Sequence, residues 1–121
     1  MMITKEYLRD NPDHIFVFGD NLLRYGKGGA AILRDEPNTY GFITKKAPNN
    51  KDSSFYKPSE YIMVFKEEMN KLIEKIVDNP EKIFLISPIG SGLANKYGIF
   101  ESIIQTELIL LKHLFPNVRL I

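Results

Sequence analysis

Residues 16–31 read FVFGDNLLRYGKGGAA. An apolar run that begins at Ile15 stops at Gly19. The polar pair Asp20 and Asn21 follows, and then come Gly26, Gly28 and Gly29. β-Branched and aromatic residues over 15–19 predict a buried strand. The segment GGAAILR at 28–34 predicts the opening of a helix whose small residues let it lie close to a sheet. A glycine cluster between a strand and a helix has two readings. It is a tight turn, or it is a loop whose backbone N–H groups hold an anion. It has neither the GxxxxGK[ST] spacing of a P-loop nor a clean GxGxxG, so alone it fits both.

Working outward, turn chemistry at Glu36, Pro37 and Asn38 precedes a second strand, YGFIT at 40–44. The polar stretch KKAPNNKDSSFYKPS at 45–59 reads as a long functional loop without regular structure. A helix capped by Ser59 and running to about Asn79 follows, with Ile62, Phe65, Met69, Leu72, Ile73 and Ile76 at the helical period and Pro80 as its stop. KIFLIS at 82–87 is apolar on consecutive positions, as a strand buried on both faces requires. PIGSGLANKYG is a second glycine-bearing loop. A helix over 99–114 follows, striped by Ile103, Ile104, Leu108, Leu111 and Leu114, and VRLI closes the chain as a strand.

This alternation predicts an α/β domain over residues 1–121, with a mostly parallel sheet and helices on both faces. Ligands of such sheets sit beyond the carboxyl ends of the strands. The loops after the first three strands therefore converge on one edge, and their polar residues are the candidate site.

The composition bounds the chemistry. One domain of 121 residues is long enough to build its own core. A net charge of +1 gives no bulk field toward nucleic acid or membrane. The chain has no cysteine, which excludes disulfides, thiolate nucleophiles and cysteine-ligated zinc. Only His14 and His113 are available as imidazole ligands, so no metal site is expected, and no cofactor. MMITKEYLRD is too polar for a signal peptide, and no apolar run approaches the ~18 residues of a membrane span. A cytoplasmic protein without a membrane partner is expected, and the oligomeric state is open.

Each candidate side chain has a functional and a structural reading. Asp20 and Asn21 can hold ribose hydroxyls or begin an Asx turn. Lys45 can neutralise a phosphate or, when desolvated, attack a sugar C1. Its neighbour Lys46 reads as solvated, as do Lys27 and Lys96. Tyr97 can stack on a sugar or pack against the fold, and Ser91 equally serves a turn. His14 reads as structural. DSSFY at 52–56 suits a lid or a surface loop.

The string FGDNLLRYGKGGAAI resembles the first ligand loop of macrodomains, which bind ADP-ribose. In that family a strand ends in an asparagine, and a leucine and a glycine run follow. Asn21 matches the asparagine that contacts the distal ribose, with Gly19, Asp20, Gly26 and Ala30 around it and Gly28 and Gly29 on the glycine run. SPIGSGLANKYG resembles the second loop, whose glycines wrap the diphosphate, here Gly90, Ser91 and Gly92. The resemblance is nearest the branch of the terminal ADP-ribose protein glycohydrolase, through FITKK at 42–46 and PIGSGL at 88–93, and it extends to bacterial and phage proteins with FVFGDN, GKGGAA and EPN…TKK strings. It covers roughly residues 15–112. It implies a three-layer α/β/α macrodomain-like fold and adds Thr44, Lys45, Pro88, Ile89, Leu93, Asn95 and Tyr97 to the ligand set.

In the hydrolytic branch a lysine of the TKK string attacks the ribose C1, which falls on Lys45. An aspartate directly after IGxGL completes turnover, and Ala94 stands there, followed by Asn95. Asp20 is the carboxylate left to substitute. The family's adenine-reading aspartate has no clear counterpart among Asp10 and Asp13, so the base preference stays open. The expected function is binding of ADP-ribose or a related nucleotide, by sequestration rather than cleavage. The alternatives are an ADP-ribosyl hydrolase acting on protein or nucleic acid through Lys45, and a protein-interaction domain without nucleotide function. Nucleic acid is expected as a partner only as an ADP-ribosylated substrate.

Overall fold

A computed structural model describes residues 2–121. Thr4 caps a first short helix, α1 (Lys5–Asp10), by accepting from the Tyr7 N–H at 3.0 Å. This helix is too short to leave a periodic signal, and the sequence reading missed it. Strand β1 (His14–Asn21) begins where the Tyr7 hydroxyl meets His14 Nδ1 at 2.7 Å, which supplies the structural role expected of that histidine. β2 spans Thr39–Lys45, α2 Pro58–Asp78, β3 Ile83–Ile86, α3 Gln105–Leu114 and β4 Val118–Leu120.

The strands lie in the order β2-β1-β3-β4, and all three pairings are parallel. The chain leaves β1 in one direction to reach β2, then crosses back over β1 to β3 and on to β4. Crossovers of one hand therefore put the β1–β2 connection on one face and α2 and α3 on the other. The two cores confirm this. Ile15, Val17, Phe84 and Ile86 pack with Leu72 and Ile76 of α2 and with Leu108 and Leu111 of α3. Phe16, Phe18 and Leu85 point the opposite way, onto Leu8 of α1 and onto Ala31 and Leu33. The fold is a three-layer α/β/α sandwich. No helix among the described residues is long and apolar enough to cross a membrane.

Four local expectations are corrected. The helix expected over 28–34 is a single 3-10 turn, Gly29–Leu33. Gly29 has φ +56, which lies outside the right-handed helical region. The 45–59 segment is not free of regular structure, since it holds a 3-10 turn (Asp52–Ser54) and Phe55 bridges back to Lys45. Ser59 is not the cap of α2. Lys57 is, with Pro58 at the first helical position and the Glu60 carboxylate accepting from the Lys57 N–H at 2.9 Å. Ile62 and Leu114 are exposed rather than core. The buried stripe of α2 runs through Tyr61 instead, because Tyr61 has a polar partner to reach. The last helix also starts differently, opening with a π-helical turn over Phe100–Ile104.

That partner is β2, the outer strand on its side, whose free edge is closed by side chains. The Tyr61 hydroxyl donates to the Ile43 carbonyl at 2.6 Å, and the buried Glu68 carboxylate accepts the Ile43 N–H at 2.7 Å. Arg24 Nη1 donates to the Gly41 carbonyl at 2.8 Å.

Candidate functional site

The strand order reverses at β1, and a crevice opens where the loops after β1 and β3 part. Glycine makes the convergence possible. A Cβ on Gly19 would stand 3.2 Å from Thr44 Oγ1 and 3.7 Å from the Gly90 N–H nitrogen, so three strand ends meet around a residue without a side chain. Beyond the last paired residues, Ser87 Oγ donates to the Val17 carbonyl at 2.9 Å and holds β3 to β1.

A cleft of about 520 Å³ lies at this edge, and all three loops line it. The first loop contributes Gly19 to Asn21 and Tyr25 to Ala31. The second gives Thr44, Lys45 and Pro48 to Asn50, and the third gives Ser87 to Ala94. Fifteen of the expected ligand residues therefore share one cavity: Gly19, Asp20, Asn21, Gly26, Gly28, Gly29, Ala30, Thr44, Lys45, Pro88, Ile89, Gly90, Ser91, Gly92 and Leu93. Asn95 and Tyr97 do not line it. Asn95 caps the final helical segment, accepting from the Phe100 N–H and donating to the Glu101 carboxylate. The Tyr97 hydroxyl is turned to Asp52 on the second loop.

Asp20 is not available as a base. Its carboxylate is 2% exposed and is gripped by both terminal nitrogens of Arg34, at 3.0 and 2.7 Å. It also accepts the Asn21 N–H at 2.8 Å. The Arg34 guanidinium is correspondingly held above its ordinary pKa by the hydrogen bond to Asp20. Gly41 makes room for this pair, since a Cβ there would meet Asp20 Oδ2 at 2.4 Å.

Asn21 begins an Asx turn. Its side-chain oxygen accepts the Leu23 N–H at 3.0 Å, and its Nδ2 donates to the Tyr25 carbonyl at 2.9 Å. The turn carries Arg24 through φ +57 and swings its side chain out to the β2 edge.

Lys45 stands at the end of β2 with its amine 4.8 Å from the Phe55 ring centre, donating to the Asn49 carbonyl at 2.8 Å. Burial lowers its pKa below the ordinary lysine value. Lys46 faces away, paired with Glu60 at 3.0 Å. Among the described residues, nothing accepts the backbone N–H groups of Gly28, Gly90, Gly92, Leu93 or Ala94. The lining therefore combines one cation without a carboxylate partner among the described residues, Lys45, with unspent N–H donors, a lysine paired with Asp35 (Lys27) and one carboxylate that is already neutralised. Such a surface suits an anion. No group of three or more metal-ligating side chains comes together among the described residues.

Residues 1–96 match the model of a family of unknown function, DUF7831. The chain belongs to that family. The matched region ends just past Ala94, so it contains every residue that lines the cleft, whereas α3 and β4 lie beyond it. No curated protein and no solved structure matches the chain.

The second loop is fastened to the third. The Asp52 carboxylate takes Lys96 Nζ at 2.8 Å as well as the Tyr97 hydroxyl, and those bonds hold its pKa below the ordinary carboxylate value. Sequence reasoning did not anticipate Arg34 or this clasp. Arginine after a glycine run carries no motif of its own, and the partners of Asp52 lie 44 and 45 residues away.

Proposed function

We propose that the cleft binds ADP-ribose or a related ADP-ribose-type nucleotide and sequesters it without cleaving it. One observation carries the reading: the cleft at the switch point offers Lys45 and unspent backbone N–H groups, while its other lysine, Lys27, is paired with Asp35 and its sole carboxylate is consumed by Arg34. A diphosphate satisfies the unspent N–H groups of Gly90, Gly92, Leu93 and Ala94, and Lys45 reaches a phosphate or ribose oxygen. Hydrolysis needs a base to activate water. Ala94 supplies none, and Asp20 is locked. The resemblance of both glycine loops to those of macrodomains points to the same ligand, and a chain without cysteine suits the reducing cytoplasm.

A hydrolase is the second reading, favoured by the partly buried Lys45 amine, since a lowered pKa makes a lysine a better nucleophile. Incubation with an ADP-ribosylated protein separates the two. Sequestration predicts that the modified protein is retained and no ADP-ribose is released. Release that Lys45→Ala abolishes would establish the hydrolase instead.

A further inference from the structure

Asn21 holds the Tyr25 carbonyl, and a second side chain ties the end of β1 to the glycine loop beyond it. Arg34 holds both oxygens of Asp20 through its terminal nitrogens, and its Nε donates to the Gly26 carbonyl at 2.9 Å. The same guanidinium lies 5.4 Å from the centre of the Phe18 ring. Phe18 and Asp20 are fixed in the sheet, with Phe18 2% exposed and Asp20 5%. Gly26 is not. It has φ +99, its carbonyl has no other partner among the described residues, and its Cα faces Pro48 of the second loop. Only a planar fork can reach the carboxylate and the carbonyl together.

We propose that Arg34 is the positioning residue of the cleft, locking residues 22–30 against the strand end so that the first lip is formed before any ligand arrives. It touches no ligand itself. It acts through the Gly26 carbonyl and Asp20, and it spares the ligand the cost of ordering the loop. The inference rests on the proposed nucleotide cleft only for its effect on affinity.

Arg34→Lys keeps the charge beside Asp20 but cannot reach both partners. Amide hydrogen exchange without ligand should then rise at least about tenfold at the hydrogen-bonded amides of residues 22–30, those of Leu22, Leu23 and Arg24, while β3, residues 83–86, keeps its wild-type protection. ADP-ribose affinity should fall by a similar factor with a more unfavourable binding entropy, and saturating ligand should restore the lost protection. The double substitution Asp20→Asn/Arg34→Gln removes both charges together and leaves no buried carboxylate unpaired, and it should loosen the same residues. Unchanged exchange over 22–30, or an equal rise over 22–30 and 83–86, would overturn the proposal. If the wild-type protein does not bind ADP-ribose, the nucleotide reading fails, while the exchange measurement without ligand still decides the role of Arg34.

Discussion

The Lys45 amine donates to the Asn49 carbonyl at 2.8 Å, so a cation lining the cleft also shapes the loop that walls it. Lys45→Ala removes both functions. We expect it to abolish nucleotide binding in a calorimetric titration and to speed amide exchange over residues 46–51, leaving α2 unchanged. A variant that retains wild-type affinity would show that Lys45 does not face the ligand.

Burial lowers the Lys45 pKa, and the consequence for pH has a definite sign. Between its folded value and the ordinary lysine value of 10.5, the folded chain binds fewer protons than the unfolded chain. Stability from this group therefore rises with pH across that window and is flat outside it. Site-resolved acylation followed against pH should give Lys45 a midpoint below 10.5. A midpoint at or above that value would contradict the partly desolvated setting of the amine.

The third loop turns on Gly90, at φ +81, where a Cβ would stand 2.5 Å from Ile104 Cδ1. Ile104 is fully buried, so moving its δ-methyl aside disturbs the packed core around it. Gly90→Ala should cost about 1–3 kcal/mol in urea denaturation, from backbone strain and overpacking together. Combining it with Ile104→Val removes the clashing methyl and should recover part of that loss, whereas strictly additive costs would show that Ile104 does not meet position 90.

Tyr61 and Glu68 close the β2 edge at Ile43. Tyr61→Phe strands the Ile43 carbonyl and should cost about 1–3 kcal/mol. Glu68→Gln keeps an acceptor for the Ile43 N–H and should cost less than Glu68→Leu, which does not. Equal costs for the two Glu68 variants would rule out this hydrogen bond as the reason the carboxylate is buried.

The strand-loop alternation was legible because consecutive apolar runs such as KIFLIS leave little choice but a buried parallel strand. The switch-point cleft followed from that topology, and Lys45 and both glycine loops fell into it. Other features needed three dimensions. Tyr61 took the place of Ile62 in the core because the Ile43 carbonyl waits across the sheet edge, a partner 18 residues away. Asp20 looked like a free acid until Arg34, 14 residues on, was folded over it. Asn95 and Tyr97 shared a string with the third loop, but the chain turns at Gly98 and hydrogen bonds to Phe100, Glu101 and Asp52 occupy both.

Binding of ADP-ribose is tested most directly by titrating it into the wild-type protein in a calorimeter and following the melting temperature in parallel. An anion-binding cleft predicts one saturable site and, at 100 times the dissociation constant, about 2.7 kcal/mol of added stability. No heat of binding and an unchanged melting temperature at millimolar ADP-ribose would contradict it.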